Sequence, residues 1–201
     1  MLRYERHLLG RVHRIAAGID EAGRGSLAGP VVASAVILKD ISFKVLIDDS
    51  KKLSPLRRQE SYCEIMENAW VGIGIVNENK IDEINIFQAT LMAMEEAISD
   101  LEIKPDCFLI DGMKGANLDI KSPYINITKG DSRSLSIAAA SIVSKITRDN
   151  IMTLYDGFYP RYGFAKHKGY CTRGHIIALQ RYGISPIHRR SFKPIKVTNS
   201  K

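Results

Sequence analysis

Val31 to Leu38 (VVASAVIL) is an apolar run with almost no polar interruption. A strand of that kind has to be covered on both faces. A second run, Arg14 to Asp20, precedes it and ends on two adjacent carboxylates, Asp20 and Glu21. Between the runs stand Gly23-Arg24-Gly25 and Gly29-Pro30, so two central strands are joined by a glycine-rich turn. A sheet with such strands at its centre needs helices on its flanks.

The rest of the chain supplies them. Ser54-Pro55 sets a cap and an N1 proline ahead of a helix running to about Ala69. Trp70 to Val76 reads as a third strand. Ile84, Phe87, Leu91, Met94 and Ile98 recur at the spacing of one buried helix face, which predicts a helix from about Lys80 to Asp100. Cys107 to Ile110 is a short buried strand ending at Asp111-Gly112. Ile125 to Thr128 is a further strand, stopping at Lys129-Gly130-Asp131. Ser134 to Leu154, rich in Ala and Ile, reads as a buried helix, and Thr172 to Tyr182 as another. At 201 residues one compact domain is expected. The class is an α/β sheet flanked by helices, with a basic, aromatic, helical segment from residue 155 capping one end.

The net charge of +7 points to polyanionic partners, nucleic acid first. The basic residues cluster at both ends: Arg3, Arg6, Arg11 and Arg14, then Arg189, Arg190, Lys193, Lys196 and Lys201. Three cysteines (Cys63, Cys107 and Cys171) without a Cys-x-x-Cys pair give no disulfide framework. No run is long enough for a signal peptide or a bilayer span. A cytoplasmic, monomeric protein with no membrane partner is expected.

Three predicted strands end in acid: Asp20-Glu21, Asp111 and Asp131. Active sites of open α/β sheets gather at the carboxyl ends of strands, so these acids are placed to converge. Carboxylates so close repel one another unless a cation intervenes, and two Mg²⁺ or Mn²⁺ ions suit an all-oxygen set. Turn chemistry alone also accounts for Asp111-Gly112 and Gly130-Asp131. Strand alternation puts either Asp20 or Glu21 off the common face unless the strand bends. Asp20 is taken as the bridging ligand and Glu21 as the peripheral one.

Gly23 and Gly25 let a backbone approach a phosphate that Arg24 neutralises. The turn is not a dinucleotide-binding fingerprint, because Gly29-Pro30 leads into a strand rather than a helix. His167, Cys171 and His175 recur every four residues, yet Gly169 and Gly174 interrupt them and a fourth zinc ligand is missing. That segment reads better as a basic surface in which Tyr170 stacks on a base or sugar, with a core tyrosine as the plain alternative. Lys51 and Lys52 suit a phosphate backbone or a solvated loop; Lys51 is taken as a substrate contact. Arg148-Asp149 reads as a structural ion pair.

Taken together, these segments resemble the ribonuclease HII family, the type 2 ribonucleases H. The resemblance is carried by Gly18 to Gly25 (GIDEAGRG), Asp48 to Leu53 (DDSKKL), Leu109 to Gly112 (LIDG), Lys129 to Asp149 (KGDSRSLSIAAASIVSKITRD) and Lys168 to His175 (KGYCTRGH). Arg24 and the short segment before Gly18 favour this family over its paralogue ribonuclease HIII. The resemblance implies a ribonuclease H-like mixed sheet (residues 1–154, core from about 14) with a helical C-terminal extension (155–201) in the same compact unit. It implies cleavage of RNA in RNA–DNA hybrids and at single ribonucleotides in duplex DNA. It makes Asp20, Glu21, Asp111 and Asp131 the catalytic metal ligands for two Mn²⁺ or Mg²⁺ ions. Gly23, Arg24 and Gly25 become the element that reads the 2′-hydroxyl through backbone contacts, and Tyr170 the residue that stacks on the neighbouring sugar. A non-catalytic nucleic-acid-binding protein and a metal-dependent DNase are the rival classes; cleavage of an all-DNA duplex separates the latter.

Overall fold

The structure is a computed structural model, and it describes residues 4–5, 15–40, 42–45, 47–113, 115 and 117–195. Arg3, Arg6, Arg11, Arg14, Lys196 and Lys201 lie outside the described residues.

Five strands form one mixed sheet: β1 (Ala16–Ala22), β2 (Val31–Leu38), β3 (Ala69–Val76), β4 (Cys107–Asp111) and β5 (Tyr124–Ile127), in the order β3-β2-β1-β4-β5. β1 pairs antiparallel with β2, and β2 with β3, whereas β1–β4 and β4–β5 are parallel. The two most continuously apolar strands are thus central, as burial on both faces demands. Helix α1 (Pro55–Asn68) starts at the Ser54 cap, whose hydroxyl accepts from the Arg57 N–H. Helix α2 (Glu78–Ser99) covers one face of the sheet, with Ala89, Ala93, Met94 and Ala97 fully buried against β1, β2 and β3. Helix α3 (Leu135–Phe158) and α1 cover the other face. No helix among the described residues is long and apolar enough to cross a membrane.

The helix expected from Lys80 to Asp100 is one element with a break in it. Asn85 adopts φ 68° and ψ 164°, and its side chain accepts from the N–H groups of Phe87 and Gln88. That is an internal N-cap: a short polar side chain replaces a turn of backbone bonds.

α3 lies on β1 more closely than side chains usually permit. A Cβ on Gly18 would collide with the backbone of Ser136 and Ile137. β2 joins the same contact, where the Ser34 hydroxyl donates to the Ala140 carbonyl at 2.7 Å.

The chain beyond α3 forms short helices α4 (Phe164–His167) and α5 (Arg173–Tyr182). They pack on the loop between β1 and β2. Leu27 joins Leu179 and Ile195 in one apolar cluster, and Ala28 joins Met152, Phe164 and Ile187 in another. Backbone bonds fasten the same contact: Leu27 N–H to the Gly169 carbonyl at 2.8 Å, Gly29 N–H to Ile187 at 2.8 Å and Arg189 N–H to Leu27 at 2.9 Å.

Gly18→Ala is expected to cost about 2 kcal/mol or more, because backbone rather than a flexible side chain blocks the added methyl. Thermal melting checks this; an unchanged midpoint would contradict the close packing of α3 on β1.

Candidate active site

The register of the sheet assembles the acids. Ile19 on β1 pairs with Ile110 on the parallel β4, so the next residues, Asp20 and Asp111, emerge side by side at the carboxyl ends of two neighbouring strands. Asp111 in turn pairs with Ile127, the last residue of β5. The chain then makes a single 3₁₀ turn, Gly130–Ser132, which carries Asp131. Asp111 Oδ1 accepts the Gly130 N–H at 2.6 Å and fixes that turn against β4.

A cleft of about 390 Å³ opens there, lined by Asp20, Glu21, Gly23, Arg24, Gly25, Ser50, Lys51, Ser141, Lys145 and Tyr170. Asp20 is buried and accepts the Glu21 N–H at 2.8 Å and a bond from Ser141 on α3. Ser141 is itself bonded to Ser50 at 3.0 Å. Burial and the charges of Glu21 and Asp111 push the Asp20 carboxyl well above the usual carboxylate range. Burial also raises Glu21, against the pull of Arg24. Burial and Asp131 raise Asp111, against the Gly130 amide. Three acids thus resist ionising together. Both Asp20 and Glu21 line the cleft, although strand alternation had put one of them off the common face.

Two of the acids are engaged by cations: Glu21 Oε1 by Arg24 at 3.0 Å and Asp131 Oδ2 by Lys51 at 3.5 Å. Among the described residues no three acid, histidine or cysteine side chains already enclose a metal position. Glu21 Oε2 is nevertheless buried without a hydrogen-bond partner. An unpaired carboxylate oxygen beside two further acids is the chemistry a hard divalent cation accepts.

The remaining expected contacts fall around the same cleft. Lys51 is exposed; burial works against its charge, but Asp131, Asp20 and Asp49 outweigh it and raise its pKa. Gly23 has φ +94°, and a Cβ there would strike the Arg148 guanidinium. Gly25 faces open space, with nothing within 4 Å of where a Cβ would sit. Tyr170 is half-buried, its ring 5.4 Å from the Arg148 guanidinium and 5.7 Å from Lys145 Nζ. It is therefore a cleft wall rather than a core residue.

Two expectations are corrected. Arg148 does not pair with Asp149. It is fully buried and donates to the carbonyls of Pro30, Lys168 and Ala28 at 2.9, 2.9 and 3.1 Å, while Asp149 pairs with Lys145 one turn away at 2.6 Å. Adjacent helix positions diverge, and the i, i+4 neighbour wins. The second correction concerns the basic tail: Arg189 is fully buried rather than facing a duplex.

The His167–Cys171–His175 spacing makes no zinc site. Cys171 is exposed. His175 bonds instead to His188, Nε2 to Nε2, at 3.0 Å. His188 Nδ1 accepts the Ser185 N–H, so its Nε2–H donates to His175, whose Nδ1–H donates to the Tyr170 carbonyl at 2.9 Å. Burial lowers both rings to about 4, in keeping with a neutral pair that holds Tyr170 in place. Sequence reasoning missed Ser141 and Lys145 as cleft residues and Arg148 as the buried donor packed behind Gly23. Their signal was the four- and three-residue spacing on one face of α3.

The ribonuclease HII family model matches residues 17–195. The chain belongs to the ribonuclease HII family. It is accordingly a nuclease, an endoribonuclease of RNA–DNA hybrids. It is 50% identical over 197 residues to ribonuclease HII of Enterococcus faecalis, covering 98% of this chain and 76% of that one. It is 51% identical over 182 residues to ribonuclease HII of Mycoplasma capricolum, covering 90% and 87%. Among solved structures, ribonuclease H2 from Pyrococcus horikoshii superposes with a TM-score of 0.78 at 24% identity, covering 92% of this chain and 97% of that one. The PCNA:RNase HII complex of Archaeoglobus fulgidus gives 0.77 at 26% identity, covering 89% and 95%. These structures share the mixed five-stranded sheet with flanking helices.

Without divalent metal, Asp20→Asn is expected to stabilise the protein at neutral pH by about 2 kcal/mol, by removing a buried charge among like charges. Asp20 binds its proton more tightly folded than unfolded, so wild-type stability falls as pH rises from the ordinary carboxylate range through the raised value. The advantage of the variant therefore shrinks on acidification. Melting curves of both proteins against pH check this; equal midpoints at neutral pH would contradict it.

Proposed function

We propose that this ribonuclease HII cleaves the RNA strand of RNA–DNA hybrids and incises duplex DNA 5′ of a single embedded ribonucleotide by two-metal-ion catalysis, leaving 3′-hydroxyl and 5′-phosphate ends. Asp20, Glu21, Asp111 and Asp131 would hold two Mg²⁺ or Mn²⁺ ions. Bound there, such ions supply an acidified water as nucleophile and neutralise charge on the scissile phosphate and its leaving oxygen. The observation that carries this proposal is the mutual electrostatic strain of Asp20, Glu21 and Asp111 at strand ends, beside a cleft that Asp20 and Glu21 line together with Gly23, Gly25 and Tyr170.

The chain's own groups divide the remaining tasks. The Gly23 and Gly25 amides meet the 2′-hydroxyl, the group that separates RNA from DNA at one nucleotide. Tyr170 stacks on the adjacent sugar, its ring backed by Arg148 and Lys145. Arg24 and Lys51 lie beside Glu21 and Asp131 and offer charge to the phosphates on either side. Exposed Arg190 and Lys193 add salt-sensitive, sequence-independent affinity for the duplex. On this account the enzyme works as a cytoplasmic monomer.

The assay is a labelled DNA duplex holding one ribonucleotide, run beside an all-DNA control with and without Mg²⁺ or Mn²⁺. One metal-dependent cut 5′ of the ribonucleotide, with the control spared, is expected. Asp111→Asn should lower the rate by more than about a hundredfold, since groups that merely support a metal ligand already cost up to that much. Near-normal turnover of the variant would remove Asp111 from the set, and cutting of the control would replace this specificity with a general DNase.

A further inference from the structure

Arg189 belongs in sequence to a basic run with Arg190 and Lys193, yet its side chain is fully buried behind the loop that joins β1 to β2. Its Nε donates to the Gly29 carbonyl at 2.9 Å and its Nη1 to the Arg24 carbonyl at 3.0 Å. Its own N–H donates to Leu27 at 2.9 Å. Its guanidinium lies 5.0 Å from the Phe192 ring, and Nη2 is buried without a partner. None of the ion pairs among the described residues includes it. Burial, with Arg148 nearby, lowers its pKa to about 9, so the group stays charged at neutral pH. Burying a cation is costly; Glu78 and Asp82 favour its charge from a distance, while its side-chain hydrogen bonds go to carbonyls at the two ends of one loop.

The consequence lies in the peptide unit between Arg24 and Gly25. That unit is trans, so its carbonyl and its N–H point in opposite directions. The Arg24 carbonyl is held inward by Arg189. The N–H of the same unit belongs to Gly25, which lines the cleft, and it makes no hydrogen bond among the described residues.

We propose that Arg189 is a positioning residue for ribonucleotide recognition: by fixing the Arg24 carbonyl on the inner side of the loop, it turns the Gly25 N–H into the cleft. This rests on the proposal above that the glycine amides meet the 2′-hydroxyl. The planar guanidinium is needed because its fork spans the carbonyls of Arg24 and Gly29 together, whereas a lysine ammonium is a single point of charge on a flexible stem.

The test is the ratio of dissociation constants for an all-DNA duplex and the same duplex with one ribonucleotide. It is measured by fluorescence anisotropy with Ca²⁺ as the divalent ion, for wild type, Arg189→Lys, Arg189→Gln and Gly23→Ala. A smaller folded fraction scales both constants alike, so a merely structural role for Arg189 leaves the ratio unmoved. Both Arg189 variants are expected to lower the ratio about tenfold, the worth of one hydrogen bond made with one duplex and not the other. An unchanged ratio in both overturns the assignment. If Gly23→Ala lowers the ratio while the Arg189 variants do not, only the role of Arg189 fails; if none of the three lowers it, the amide recognition itself fails. Should neither Arg189 variant fold, ¹⁵N-glycine-labelled wild type decides. The Gly25 amide proton should move downfield with the ribonucleotide duplex and not with all-DNA, and an equal response to both overturns the proposal.

Discussion

The architecture depends on how closely α3 lies on β1. Gly18 removes the side chain that would keep the helix at ordinary distance, and the backbone of Ser136 and Ile137 fills the space. A helix set so low carries its next turns to the carboxyl end of the strand. Ser141 there bonds Asp20, Lys145 faces Tyr170, and Arg148 reaches beneath the glycine turn. Acids, turn and aromatic wall thus share one rigid support, as a preorganised site requires.

The C-terminal segment completes what the sheet begins. A loop rich in glycine does not hold one conformation by itself. Here Leu27 and Ala28 are buried in two apolar clusters, and carbonyls from Arg24 to Pro30 are gathered by Arg148 and Arg189. The neutral His188–His175 relay fastens the Tyr170 carbonyl in the same way. Beyond the shared support of α3, the acids are aligned by β-sheet register and the glycine-rich loop by buried donors aimed at its carbonyls.

Much of this was legible in the sequence. Continuous apolar runs marked the central strands, and acids at the ends of three of them marked where the site would be. Parallel register then brought Asp20 beside Asp111, which the pattern anticipated without specifying the pairing. What stayed hidden depends on backbone geometry. Asn85 breaks α2 through its own φ and side-chain cap, while the apolar periodicity on either side runs on unaltered. Arg148 and Arg189 bond carbonyls, which every residue possesses, so no partner residue flags them. The histidine spacing was real, but it served ring-to-ring hydrogen bonding once His188 arrived from a distant segment.

The central claim is that Asp20, Glu21, Asp111 and Asp131 form one cation seat beside the loop that selects the ribonucleotide. Anomalous diffraction from crystals of the Asp111→Asn enzyme, grown with a single-ribonucleotide duplex and Mn²⁺, tests it most directly. The account predicts manganese signal against Asp20 with the scissile phosphate above it and the 2′-hydroxyl within hydrogen-bond reach of the Gly25 amide. Manganese lodged away from Asp20, or a ribose turned from the glycine loop, would contradict it.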